Sequence, residues 1–137
     1  MLKPSDFLGR WSIDRSITEA HAPNPARFVG SATITEGPVV WVFAEEGTLS
    51  LAQGSTMKAE RKYLWKSVGN GFDVFFADER FFHRFDLTAQ AQASHWCDPD
   101  QYDVAYDFSA WPVWSSTWNV AGPRKDYVMQ SSFLRLP

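Results

Sequence analysis

AERKYLWKS, residues 59–67, alternates charge with aromatic character along its length. In an extended strand successive side chains point to opposite faces, so Glu60, Lys62 and Lys66 share one face while Ala59, Arg61, Tyr63 and Trp65 share the other. One face suits water and the other an interior, and the period of two belongs to a strand rather than a helix. The same separation recurs in YDVAYDF (102–108), where Asp103 and Asp107 alternate with Tyr102, Val104, Tyr106 and Phe108. It recurs again in Trp114, Ser116, Trp118 and Val120, and in Tyr127, Met129, Ser131, Phe133 and Arg135. Each inner face is aromatic and carries a few polar groups.

Turn signals fall between such runs about every 8 to 12 residues, the spacing of an antiparallel meander. They include HAPNP (21–25), EGP (36–38), AQGS (52–55), GNG (69–71), ADE (77–79), CDPD (97–100), AWP (110–112) and AGP (121–123). Strands are predicted over 9–17, 27–35, 39–46, 48–52, 58–67, 72–77, 80–87, 91–97, 102–108, 113–120 and 126–135. Only PSDFL (4–8) reads as a helical turn, with Ser5 as its N-cap. So many short strands with one aromatic face each are best satisfied by closing the sheet, which removes exposed edges. The expectation is an all-β chain, an antiparallel up-and-down barrel of about eight to ten strands. A barrel of that size either fills its interior with side chains or holds one small ligand, and polar residues at inward positions favour the ligand.

Composition narrows the partners. A length of 137 residues supports one core, so a single domain over 1–137 is expected. Aromatic residues make up 16% of the chain, seven of them Trp, which suits pleated sheets and cavity walls. A net charge of -3 without a long basic run argues against nucleic acid. No apolar run approaches the roughly 20 residues that span a bilayer, and MLKPSDFLGRW lacks an apolar signal core. A soluble, cytoplasmic protein is expected, in keeping with the single cysteine, Cys97.

The ends of the chain carry a resemblance. FLGRW (7–11) resembles the Gly-X-Trp signature that opens the first strand in lipocalins and the wider calycin superfamily. There an arginine of the last strand packs across the tryptophan and closes the barrel base, a place that Arg135 is positioned to take over Trp11. RKYLW, DERFFHRF, HWCDPDQY and GPRKDY are similar to words of a bacterial lipocalin-like family known as a domain of unknown function. The resemblance implies a lipocalin-like fold and no particular activity. The extracellular carrier role of secreted lipocalins does not transfer, since neither a signal peptide nor a disulfide pair is seen.

The candidate ligand contacts follow from parity. Arg61 at an inward position asks for an anion, because a buried guanidinium without acceptors is costly, and a ligand carboxylate or phosphate would meet it bidentately. The alternative is an internal pair with Glu45 or Asp126. Arg15 is a further inward candidate. Tyr63, Tyr102, Tyr106 and Tyr127 offer hydrogen bonds, and Trp65, Phe76, Trp114 and Trp118 offer apolar walls. His83, read as inward with Phe81 and Phe85, is expected to be a tunable donor or acceptor near neutral pH, with His95 nearby. Arg124 and Lys125 of GPRKDY steer an anion towards Tyr127 and Arg61 if that hairpin lies at the open mouth, and are structural if it lies at the base.

The expected function is therefore small-molecule binding, with an anionic aromatic or amphipathic ligand in the interior and no cofactor. Two other classes stay open. One is an enzyme, decarboxylase- or hydrolase-like, acting on a similar ligand, by fold-level analogy with barrel-shaped phenolic-acid decarboxylases. The other is a filled barrel with a structural or protein-binding role. A His83/His95/Cys97 group would suit zinc or haem, but its spacing is no recognised ligand motif, so no metal is expected. The proline-rich HAPNPARF segment (21–28) reads either as a lid gated by His21 and Phe28 or as an ordinary connection.

Overall fold

A computed structural model describes residues 1–137. A 3-10 turn (Pro4–Phe7) leads into ten strands: β1 (Gly9–Glu19), β2 (Ala26–Thr35), β3 (Trp41–Ser50), β4 (Thr56–Val68), β5 (Gly71–Phe76), β6 (Phe81–Asp86), β7 (Gln90–Cys97), β8 (Asp100–Asp107), β9 (Trp114–Ala121) and β10 (Asp126–Arg135). They form one antiparallel sheet in the order β6-β5-β4-β3-β2-β1-β10-β9-β8-β7. Sequential strands are neighbours and β1 pairs with β10, which curls the sheet into a nearly closed lipocalin-like barrel. Closure by hydrogen bonds stops at a seam between β6 and β7, where aromatic rings take over: His95 on β7 lies 5.7 Å from Phe82 and 6.4 Å from Phe81 on β6.

Two expected strands, 39–46 and 48–52, are one. Gly47 does not reverse the chain; it pairs with Gly30 on β2 and Ala59 on β4 in unbroken register. A Cβ at Gly47 would sit 2.7 Å from the Cα of Gly30 and 2.8 Å from the Phe28 ring, so the glycine marks close approach of two strands. The N-terminal turn also has its cap two residues earlier than expected. Lys3 precedes it and its N–H bonds the Asp6 carboxylate at 2.9 Å, so Ser5 lies within the turn rather than capping it.

A register shift between Val74 and Phe75, opposite Phe81–His83, changes one inward assignment. With one extra residue in β6, Phe82 and His83 are both buried, while Phe81 is half exposed. The expected Phe81/His83/Phe85 face is thus Phe82/His83/Phe85, because a bulge interrupts the period of two.

One end of the barrel is a solid floor. Phe7 sits in the barrel bottom, and Trp11 donates its indole N–H to the Phe7 carbonyl at 2.9 Å. Arg135 lies 4.0 Å over the Trp11 ring and donates to the carbonyls of Leu8 and Asp6. Gly9 adopts φ +120, and a Cβ there would come within 3.0 Å of the Arg135 guanidinium. The Gly-X-Trp spacing therefore has a local cause: a backbone conformation that L side chains rarely adopt, and room for the arginine that caps the indole.

Candidate functional site

The inner faces enclose a cavity of about 250 Å³. Its walls are mostly apolar, from Phe28, Phe43, Val74, Phe82, Met129 and Phe133 among others. β10 runs from the 122–125 hairpin to Arg135 at the floor, so that hairpin stands at the opposite, open end. Along the inward face of β10 the order from mouth to floor is Tyr127, Met129, Ser131, Phe133, and along β9 it is Trp118, Ser116, Trp114.

Of the residues singled out by parity, Arg61, Tyr63, Trp65, His83, Tyr106, Trp114, Trp118 and Tyr127 line this cavity. Four others stand elsewhere. Phe76 stacks on Phe82 at 4.4 Å near the seam, and half-buried His95 lies at the seam itself. Tyr102 is buried behind Phe82 and accepts a hydrogen bond from Lys125 Nζ at 3.2 Å. Arg124 is exposed in the hairpin. Lys125 also pairs with Asp100 at 3.2 Å, so it clamps the β9–β10 hairpin onto β8. Its bond to Tyr102 raises its pKa above the ordinary lysine value.

The strongest polar contact inside the barrel is between residues that parity left secondary. Arg15 on β1 makes a bidentate pair with Glu45 on β3, at 2.7 and 2.9 Å, and its Nε donates to Ser131 Oγ at 2.7 Å. Both charges are buried, and the ring of Phe28 lies 5.1 Å from the guanidinium. The signal was present in the alternation of Trp41, Phe43 and Glu45 on β3. Because Glu45 is taken by Arg15, Arg61 makes no ion pair with protein. It is exposed at the mouth yet faces the cavity, near Glu19 and Glu60 of the rim. Tyr63, together with Glu45 and Tyr127, holds its guanidinium more firmly charged.

The phenols are neutral groups. Burial raises the pKa of Tyr63, Tyr106 and Tyr127 above the ordinary tyrosine value, so each presents a hydroxyl and not a phenolate. His83 accepts or donates a 2.8 Å bond at Nε2 with Tyr106 Oη. Burial, and secondarily the charge of His95, depress its pKa to about 3. The expectation of a histidine titrating near neutral pH is corrected: desolvation disfavours the imidazolium, and the ring stays neutral. Neither Ser116 nor Ser131 is bonded to it, since Ser131 serves Arg15 and His83 Nε2 serves Tyr106. No group of three or more His, Cys, Asp or Glu side chains stands close enough to hold a metal ion.

The histidine makes stability depend on pH with a fixed sign. Its folded pKa lies below the unfolded value of 6.5, so the unfolded chain binds the proton first. The contribution is complete above about pH 6.5 and is lost as pH falls towards 3, at about 1.4 kcal/mol per pH unit. Urea unfolding at pH 6.5 and 5.0 should show wild type losing about 1.6 kcal/mol more than His83→Leu. Equal losses in the two proteins would refute the buried neutral imidazole.

A family model described as a family of unknown function, DUF6314, matches residues 7–135. The chain belongs to the DUF6314 family. No curated protein sequence matches it. Among solved structures, this DUF6314 chain is similar to an S-type phycobiliprotein lyase from Guillardia theta, with a TM-score of 0.69, 11% identity, and coverage of 97% of this chain and 90% of the lyase. It is also similar to a protein of unknown function of the DUF3598 family from Nostoc punctiforme, with a TM-score of 0.64, 10% identity and 97% of this chain covered. The DUF6314 barrel spans about half of that second protein, 48%. Identities this low show a common fold. No helix is long and apolar enough to cross a membrane.

Proposed function

We propose that this DUF6314 protein binds a small anionic molecule of aromatic or amphipathic character in its barrel. The observation that carries the reading is a cavity of about 250 Å³ with aromatic walls and one cation at its mouth, Arg61, that makes no ion pair with a protein carboxylate. Small-molecule sites are mostly apolar hollows with a few placed polar groups, and this cavity has that make-up. Arg61 meets the anionic end, Tyr63 and Tyr127 donate hydroxyls beside it, and Trp65, Trp114 and Trp118 flank the apolar body. The like-shaped phycobiliprotein lyase is consistent with a barrel that serves a small molecule, and at its low identity it lends the shape and not the substrate. The Arg135–Trp11 floor supports placing the family among lipocalin-like calycins. The reading includes a cytoplasmic setting, which suits the one free cysteine, Cys97.

Native mass spectrometry of the protein purified from its own organism tests this directly, with a retained non-protein mass as the expected result. A ligand-free spectrum, together with no uptake of the anionic aromatic dye 8-anilinonaphthalene-1-sulfonate, would overturn the proposal. Where the dye binds, Arg61→Gln should weaken it about tenfold, the usual worth of a charge-assisted contact, and flatten its dependence on salt. An unchanged dissociation constant would remove Arg61 from the site.

A further inference from the structure

Five charged side chains line the cavity: Arg15, Glu19, Glu45, Glu60 and Arg61. Two of them cancel, because Arg15 and Glu45 form the buried bidentate pair. The other three are exposed and make no ion pair with protein. One is a cation and two are carboxylates. A purely anionic ligand would answer Arg61 and leave two acids facing it, a like-charge juxtaposition that complementary sites avoid.

Exposed acids are ordinary on any protein surface. Glu19 differs by where its strand aims it. Arg15, Ile17 and Glu19 occupy successive inward positions of β1, and all three line the cavity, with Glu19 nearest the mouth. On the neighbouring strand Glu19 stands opposite Tyr127 in register, and side chains so paired lie about 5 Å apart at their Cβ atoms. Tyr127 also lines the cavity. Burial, above all, keeps its phenol neutral, while the charge of Arg61 reaches it. One tyrosine therefore has the free acid as its ladder partner and the field of the free cation on its hydroxyl. A neutral phenol can accept a hydrogen bond from an ammonium and donate one to a carboxylate.

We infer that the charged head of the ligand is an amino carboxylate: its carboxylate meets Arg61, its ammonium meets Glu19, and Tyr127 contacts both. The inference rests on the ligand-binding reading above, keeps the anionic group on Arg61 and adds a positive group beside it. Glu60, the chain neighbour of Arg61, strengthens the preference for a cation at the rim. The cavity sets the size of the body. A hollow of about 150 Å³ holds benzene, so the volume of about 250 Å³ here suits one ring or a fused pair. The class is the aromatic amino acids and their close derivatives. Glu19 becomes a specificity-determining residue, which distinguishes an amino acid from the same acid without its amine.

Four indoles test it by calorimetric titration at low ionic strength. L-Tryptophan carries both charges, as does β-homotryptophan, in which they stand one carbon further apart. Indole-3-propionate lacks the amine and tryptamine lacks the carboxylate. At least one amino acid should bind about threefold more tightly than indole-3-propionate and about tenfold more tightly than tryptamine, the range for partly exposed charged contacts. Glu19→Gln, a change at an exposed position that the fold tolerates, should bring that amino acid down to the level of indole-3-propionate. The same variant should strengthen indole-3-propionate about twofold, because a repelling charge is gone. Arg61→Gln should weaken the amino acids and indole-3-propionate and leave tryptamine unchanged or tighter. Indole-3-propionate binding as tightly as both amino acids, or an amino-acid preference that Glu19→Gln leaves intact, overturns the inference and leaves the anion-binding cavity standing. Uptake of 8-anilinonaphthalene-1-sulfonate with no binding of any indole has the same effect. Tryptamine as the tightest of the four, or no binding of dye or indoles, overturns the anion-binding reading and takes this inference with it.

Discussion

Phe7→Ala should cost the barrel about 4 kcal/mol of stability, the range for removing a buried aromatic ring from a rigid core. Phe7 is fully buried, and its ring meets those of Trp65, Phe72, Phe85, Phe108, Trp111 and Trp114 at centroid separations of 4.8 to 6.5 Å. Large-to-small changes cost most where the surroundings cannot collapse. Trp65, Phe72, Phe85 and Trp114 are each held in a strand ladder and cannot move in without breaking strand pairing, while Phe108 and Trp111 belong to the β8–β9 connection. The hydrogen bond from Trp11 survives, since it goes to the Phe7 carbonyl; the loss is therefore one of packing alone. Phe81→Ala is the control. It removes a ring of the same size from a half-exposed position, and urea unfolding should register about 1 kcal/mol or less. If Phe7→Ala also costs under about 1 kcal/mol, the floor is not the keystone that its contacts suggest. Because Trp65 and Trp114 both touch Phe7 and line the cavity, the same variant should also weaken dye binding.

Much of this architecture was legible because it is local. Alternation within β4 sets Arg61, Tyr63 and Trp65 on one face without reference to any other strand, and the cavity does lie on that side. What could not be read depends on register between distant strands. Arg15 and Glu45 are 30 residues apart, and nothing in either strand says which inward cation reaches the carboxylate first. The extra residue in β6 is similar. FFHRF alternates as well with Phe81 inward as with Phe82, and only its pairing with Val74 and Phe75 decides. Gly47 misled for a different reason: a glycine inside a strand marks either a turn or a close approach, and the neighbour that distinguishes them, Gly30, is on another strand. The GPRKDY hairpin had an ambiguous address until the floor was located at Arg135. Its lysine then proves to be a clamp on Tyr102 and Asp100, and its tyrosine the residue that faces the cavity.

Glu45→Gln should move stability and binding in opposite directions. In the folded protein Glu45 accepts both Nη groups of Arg15, and removing one partner of a buried pair leaves the other charge uncompensated, a loss of about 3 to 5 kcal/mol. The lower figure, about 3 kcal/mol, is expected here because the pair faces a cavity that solvent reaches, and because Ser131 and the Phe28 ring still contact the guanidinium. The same change makes Arg15 a second unneutralised cation deeper in the cavity, so an anionic dye should bind several-fold more tightly even as the barrel melts earlier. Replacing the pair together, with Arg15→Met and Glu45→Leu, should restore most of the stability, since apolar residues of similar size often match or exceed a buried ion pair, and should leave dye affinity to Arg61 alone. A double-mutant cycle in urea then separates the coupling energy from the cost of each truncation. Dye binding that weakens in Glu45→Gln would mean that the freed Arg15 guanidinium does not reach the anion, and would count against charge attraction inside the cavity.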